Sequence, residues 1–395
     1  STLRSIMISN RIIIIVLMIT TALRSRIQGG TITYSQIYLT WGLPVLSLLY
    51  LLYVFVRFKI YQKLDKVTFV KGEEVPYTFT LANEDIITYT GVNVTFFDRL
   101  SKVSEVPSEK SYSLTPGQSY SWNTHLCAKY KGEYTIGIEK AEITDFLHLF
   151  KMTYRFPKTI LVKVLPRIPY YEHLVIEAEE YIESHSASRK DEVFPDVELR
   201  KFVSGDGIRA VNWKASARAG ELFTRKYMDE ATPEVFLLTD FSSSGLNGEA
   251  KIILEDKIVE ASLGIAHYFE QKNITVKASY FHGGVKHMSI FSKQGMDAFY
   301  EVCAGAPFNA TVNAEKLLTA IPGMLEAMSQ IIIVTHAISD ELMLKSAEIA
   351  KKGHPVDIIY VGDEDLSGKL SVNDKFRVTQ VTSEQEVGDV LNRKA

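Results

Sequence analysis

The sequence predicts a multidomain chain: a transmembrane helical hairpin over residues 1–60, an antiparallel β-sandwich over 61–166, and a doubly wound α/β domain over 167–395. Three observations carry this. Two apolar runs lie near the N-terminus, at 12–23 and 37–56. Hydrophobic residues then recur with a period of two, as in half-buried strands. Further on, short apolar runs alternate with helical spacing, which is how a parallel sheet with crossover helices reads.

The first apolar run is bounded by Arg11 and Arg24 and is short for a span. Ile6, Met7 and Ile8 extend it if Asn10 and Arg11 snorkel. The second has about the 20 residues needed to cross a bilayer. Tyr38, Trp41, Tyr50 and Tyr53 lie toward its ends, and Arg57 and Lys59 follow it. Gly42 and Pro44 bend it locally, which lipid tolerates. A cleaved signal peptide fits the first run poorly, because Arg24 and Arg26 follow it and no small-x-small site does. A hairpin linked over 25–36 puts both ends on one side. Arg4 and Arg11 precede it and Arg57, Lys59, Lys63 and Lys66 follow, against only Arg24 and Arg26 at the link. The positive-inside rule therefore predicts soluble parts in the cytoplasm.

In the sandwich region Val75, Tyr77, Phe79 and Leu81 alternate with polar residues. So do Val92, Val94 and Phe96, then Tyr120 and Trp122, then Tyr134, Ile136 and Ile138. Turns at Lys71-Gly72, Thr115-Pro116-Gly117 and Lys131-Gly132 separate them. Residues 159–164 read as a last strand, and 165–170, with two prolines, as a linker. Residues 182–196 are Ser-rich and charged, and read as a mobile loop.

In the α/β region Val235-Phe236-Leu237-Leu238 is a strand buried on both faces. Leu254, Ile258, Ala261, Ile265 and Phe269 fall at helical spacing. Strands follow over 274–280 and 285–291, then a helix over 314–329 that Pro322 interrupts. A strand over 331–335, a helix over 340–351, strands over 356–361 and 376–381, and a helix over 384–393 complete the domain.

The net charge of −3, with no basic tail, argues against nucleic acid as the main partner. Cys127 and Cys303 make neither a disulfide framework nor a metal spacing, and read as buried thiols in a reducing compartment. No G-x-x-x-x-G-K-[ST] motif and no nucleophile–base constellation is visible, so the chain reads as non-enzymatic.

The densest chemistry lies in 198–244. A turn at Ser204-Gly205-Asp206-Gly207 leads into a basic stretch that contains Arg200, Lys201, Arg209, Lys214, Arg218, Arg225 and Lys226. Arg209, Lys214 and Arg218 are the candidate partner-binding residues. Trp213 reads as core packing, since tryptophan is highly buried on average. The strand ends in Asp240-x-Ser242-x-Ser244. Hard oxygens in that spacing suit Mg²⁺, and open α/β sheets place ligands at that edge. The competing reading is that these side chains only cap the next turn.

GDGIRAVNWKASARAGELFTRKY, followed by a strand ending in D-x-S-x-S, resembles domain-of-unknown-function family fifty-eight. Its members are membrane-anchored bacterial proteins with a von Willebrand factor A-like domain, often encoded beside MoxR-type AAA+ ATPases. A second family signature, D-P-F-G-L-F, matches Asp145-Phe146-Leu147-His148-Leu149-Phe150, without the proline and with His148 at the glycine position. His148 reads as a turn residue. The resemblance implies a metal held on three loops. Asp240, Ser242 and Ser244 stand on the first and Thr311 on the second. On the third, where the family pattern has Asp, this chain has His336, with Asp340 close by. Imidazole is a poor ligand for Mg²⁺ and a better one for Zn²⁺ or Mn²⁺.

The expectation is therefore a membrane-anchored interaction module that partners a MoxR-type AAA+ ATPase in protein assembly or maturation, with one divalent cation, Mg²⁺ or Mn²⁺, as cofactor. The alternative is an outward-facing, metal-dependent adhesion or ligand-binding receptor. The side of the membrane separates the two.

Overall fold

A computed structural model describes residues 2–97, 99–104, 111–155, 159–174, 197–201, 211, 213–227, 234–321, 323, 325, 329–364, 366 and 376–392. The expected mobile loop at 182–196, the turn at 204–207, Arg209 and Pro322 lie outside the described residues. The chain forms two compact units, Ser1–Arg167 and Ile168–Ala395.

The first unit opens with α1 (Thr2–Ile27) and α2 (Thr31–Arg57), which pack as a hairpin. Both are long and apolar enough to cross a membrane. Each outruns its apolar stretch, because Arg and Gln at the ends are good helix formers. Residues 28–30 alone make the link. Asn10 and Arg11 do not snorkel. The Asn10 amide donates to the Leu147 carbonyl at 2.9 Å and Arg11 Nε to the Leu149 carbonyl at 2.8 Å.

Among the described residues eleven strands follow, in three sheets. One sheet has the order β1 (Lys59–Leu64), β3 (Glu74–Ala82), β7 (Ser119–Ala128), β5 (Ser101–Val103). The second has β10 (Lys151–Arg155), β9 (Ile138–Thr144), β4 (Tyr89–Phe96), β6 (Ser111–Leu114). The third has β2 (Thr68–Val70), β11 (Ile160–Leu165), β8 (Gly132–Ile136). All pairings are antiparallel except β2 with β11. The run through Tyr134 and Ile138 is two strands, broken at Gly137, whose φ of 100° suits glycine. Inward residues of the period-two pattern, among them Tyr77, Phe79, Leu81, Val92 and Val94, form the core. Leu51 and Val54 of α2 join it, so the second helix is tied to the sandwich.

The second unit begins with β12 (Val197–Lys201) paired antiparallel to β13 (Phe223–Tyr227), with the short helix α3 (Trp213–Ala219) between them in sequence. Then come β14 (Glu234–Thr239), α4 (Gly248–Gln271), β15 (Thr275–Phe281), β16 (Val285–Ile290), α5 (Lys293–Ala304) and α6 (Ala314–Thr319). β17 (Ser329–Thr335), α7 (Asp340–Lys351), β18 (Val356–Val361), β19 (Phe376–Val381) and α8 (Val387–Leu391) complete it.

The sheet order is β16-β15-β14-β17-β18-β19, parallel except at β16. Residues 282–284 join β15 to β16, and so short a link permits only an antiparallel hairpin. β17 and β18 are buried at every position, as strands covered on both faces must be. Residues of α4, α5 and α8 pack with one face of the sheet, and residues of α6 and α7 with the other. The helix expected over 314–329 stops at Thr319, because a proline at 322 disfavours helix in the residue before it.

The expected linker at 165–170 is also corrected at its end. Pro169 and Tyr171 lie against α4 at Gly264, where a Cβ would come within 2.5 Å of both. Only glycine permits so close an approach. Cys303 is buried and Cys127 half-buried, both as free thiols.

Candidate functional site

In the order β15-β14-β17 the chain runs from β14 to one side and returns on the other, so the topological switch point lies between β14 and β17. Open α/β sheets bind ligands at the carboxyl ends of the two strands that flank such a point. Asp240 follows β14 and His336 follows β17 directly.

Asp240 is fully buried. Its backbone N–H donates to the Val334 carbonyl at 3.0 Å, which fastens the two strand ends together. Its Oδ1 accepts the Ser242 N–H at 2.9 Å, and its Oδ2 accepts the Thr335 hydroxyl at 2.7 Å. His336 is 8% exposed in its side chain, and its Nδ1 stands 3.9 Å from Asp240 Oδ2. That is too far for a hydrogen bond, and the buried Nδ1 has no hydrogen-bond partner among the described residues.

The second loop arrives through backbone pairing. Ser242 bridges Ala310 in parallel, and the Ala310 N–H donates to the Phe241 carbonyl at 3.1 Å. Phe308, buried with its ring edge-on to Phe241 at 5.1 Å, holds this loop with a φ of 46°. A left-handed, non-glycine residue costs roughly 1–3 kcal/mol and persists only where packing imposes it. Thr311 itself is exposed, and Asp340 is exposed at the start of α7. Ser244 Oγ accepts the Leu246 N–H at 3.3 Å in a turn of its own.

The structure thus gathers Asp240, Ser242 and His336, with the Thr311 loop alongside. Among the described residues no three His, Cys, Asp or Glu side chains converge. A cation here would draw on the spare lone pairs of the Asp240 carboxylate, on hydroxyls, and on the orphaned His336 Nδ1. That mixed set suits a borderline ion better than Mg²⁺.

The basic stretch corrects one expectation. Trp213 is 63% exposed, not core. It opens α3, a seven-residue helix that packs on β13. Ser216 does the packing instead: it is buried, and its Oγ accepts the Phe223 N–H at 2.8 Å. Lys214 and Arg218, four residues apart on α3, are exposed as well. Lys201 pairs with Glu221.

The second signature has a part that sequence reasoning missed. Asp145, fully buried, accepts the N–H groups of Leu147, Leu149 and Phe150 at 3.1, 2.8 and 2.7 Å, and the hydroxyl of Ser47 on α2. His148 takes a φ of 53° and donates its N–H to the Asp145 carbonyl, so it fills the glycine position as a turn residue. The loop that Asp145 shapes is the one whose carbonyls Asn10 and Arg11 bind. The signature fastens the helical hairpin to the sandwich.

These features define a class: a pair of membrane-length helices fixed to a β-sandwich unit, followed by a doubly wound α/β unit with a built switch-point edge. Residues 198–386 match the family described as "Protein of unknown function DUF58". A Bacillus subtilis (strain 168) relative, "Uncharacterized protein YeaD", is 22% identical over 258 residues, which cover 62% of this chain and 65% of that protein. The chain thus spans just under two thirds of the length of that relative. Among solved structures, proximal thread matrix protein 1 from the mussel byssus is similar at 11% identity and a TM-score of 0.29, over 38% of this chain and 44% of its own. An aerotolerance-related membrane protein from Bacteroides fragilis NCTC 9343 is similar at 15% identity and a TM-score of 0.25, over 32% of this chain and 67% of its own.

Proposed function

We propose that this protein is a membrane-anchored, non-enzymatic interaction module whose α/β unit, of von Willebrand A-like type, docks a partner protein. The observation that carries this reading is the exposure of Trp213 between solvent and a basic helix. A tryptophan left in water on the same short helix as exposed Lys214 and Arg218 is interface chemistry, since Trp and Arg dominate binding hot spots. Arg209, four residues before Trp213 in the sequence, adds a further positive charge to this stretch. On this reading the partner is a MoxR-type AAA+ ATPase and the task the assembly or maturation of other proteins, a reading supported by the family resemblance alone. On the same reading the Asp240 edge takes one divalent cation.

The helices α1 and α2 are the anchor. Arg57 at the end of α2, and Lys59 and Lys66 after it, pair with Asp85, Glu84 and Glu73. The positive-inside rule counts Lys and Arg while acidic residues contribute little, so the count still favours a cytoplasmic α/β unit.

Two measurements test the reading. Detergent extraction of the full chain from its own cells should bring down an AAA+ ATPase, identified by mass spectrometry. Alkaline phosphatase fused behind Ala395 should be inactive; an active fusion would put the α/β unit outside and replace this reading with the receptor.

A further inference from the structure

The helical hairpin carries a groove of about 460 Å³ between α1 and α2. Ile15, Met18, Ile19, Leu23 and Arg26 line it from α1, and Trp41 lines it from α2. The five α1 positions fall at i, i+3, i+4, i+8 and i+11, so they share one helix face, with Arg26 at the end toward the link. Ile15, Ile19, Leu23 and Trp41 are each about half exposed. From Ile15 to Arg26 the groove runs about 16 Å along the helix. That is the depth of one leaflet, half of a hydrocarbon core about 30 Å thick.

The charge at the end of the groove is an independent feature. Residues 1–64 contain neither Asp nor Glu. Arg24 and Arg26 are exposed and form no ion pair among the described residues. Cations at the other end of the hairpin are treated differently. Arg57, Lys59 and Lys66 meet carboxylates, and Arg11 meets the Leu149 carbonyl. An arginine at a membrane boundary keeps its charge at the headgroups, and its planar fork fits phosphate in a bidentate way.

We propose that this groove seats an anionic phospholipid. One acyl chain lies along Ile15, Ile19 and Leu23 against Trp41, and the phosphate meets Arg26. Arg24 adds a second positive charge at the same end, which favours a lipid with net negative charge over a zwitterion that carries its own cation. A free anion would fill only the end of so long an apolar groove. The site rests on the reading of α1 and α2 as the membrane anchor, and needs neither the Trp213 surface nor Asp240.

The test reads Trp41 directly. The other two tryptophans, Trp122 and Trp213, stand on β7 and α3, outside the membrane-length helices, so lipids brominated on their acyl chains quench Trp41. The full chain is placed in nanodiscs of phosphatidylcholine and phosphatidylglycerol at fixed composition, with one lipid or the other brominated. Quenching by phosphatidylglycerol should saturate at low mole fraction, with an affinity about tenfold above that of phosphatidylcholine, the ratio that one charge-assisted hydrogen bond supplies. Arg24→Gln combined with Arg26→Gln should make the two lipids equal, while Arg4→Gln, which removes a charge from the other end of α1, should leave the preference intact. Ala22 also lines the groove, so Ala22→Phe should abolish the preference with every charge in place. Quenching that rises linearly with mole fraction, or a preference that survives Ala22→Phe, would mean a loose shell of anionic lipid and overturn the seat. Equal quenching by the two lipids in the native protein would remove the lipid site alone, whatever the variants do. No quenching by either would take the hairpin out of the bilayer, and the anchor reading would fall with the site.

Discussion

Asp145 in the first unit and Asp240 in the second are both fully buried, and their surroundings differ. Asp145 receives four donors: the N–H groups of Leu147, Leu149 and Phe150 and the hydroxyl of Ser47. Asp240 receives two, the Ser242 N–H and the Thr335 hydroxyl, and faces an imidazole nitrogen that bonds nothing described. A buried carboxylate is tolerable only when donors replace its water. Asp145 has them in full, so its site is closed and structural. Asp240 keeps acceptor capacity beside an orphaned nitrogen, at the point of the sheet where ligands bind. The amount of unmet bonding, more than burial itself, separates a fastening from a site.

The largest expected effect breaks the comparison from the structural side. Asp145→Ala leaves three backbone N–H groups and Ser47 without an acceptor, and should destabilise the first unit by about 4 kcal/mol. Asp240→Ala strands fewer donors and should lower stability by about 2 kcal/mol. Thermal melts of the detergent-solubilised chain check both, and a larger loss at Asp240 would mean that the two sites have been ranked the wrong way round.

The next effect concerns the spare capacity. An ion at a hundredfold excess over its Kd stabilises the folded state by about 2.7 kcal/mol. Mn²⁺ should therefore raise Tm more than Mg²⁺ does in the native protein. His336→Asp should reverse the order, and Asp240→Ala should abolish both shifts. Identical melts in EDTA, Mg²⁺ and Mn²⁺ for all three proteins would leave Asp240 as a capped turn only.

The smallest effect is a pH dependence at a third carboxylate. Hydrogen bonds from Arg57 and Tyr89 hold the Asp85 carboxyl below its usual range. A depressed folded value means that the stability is present above the unfolded value, near pH 3.9, and is lost as pH falls through the lower folded value. Asp85→Asn should flatten the decline of Tm in that acidic window, and a parallel decline in the variant would assign it to other groups.

How much of this was legible in the sequence follows from how local each cause is. The strands β17 and β18 are continuous apolar runs, and α7 begins with the Ser339 cap that accepts the Leu342 N–H at 3.0 Å, so they read directly. The helix α5 did not read, since its buried face is only Met296, Phe299 and Cys303, and glycine sits in its first turn. β1 and β10 are short and largely polar, and their pairing partners lie outside any local window. Asp240, Ser242 and Ser244 read from spacing, yet which of them gather depends on β17 returning beside β14.

Trp213 was misread because average burial carries no knowledge of which face of its helix turns inward, and here Ser216 is buried while Trp213 is exposed. Asn10, Arg11 and Ser47 meet the 145–150 loop across sequence separations of 137, 138 and 98 residues, which no periodicity reveals.

The most direct test of the docking account is ATPase retention by the full chain carrying Trp213→Ala. With the side chain 63% exposed, Tm should be unchanged, while retention in a quantitative pull-down should fall at least about tenfold, as expected for a hot-spot tryptophan. Undiminished retention by a folded Trp213→Ala protein would contradict the claim that this surface is where the partner binds.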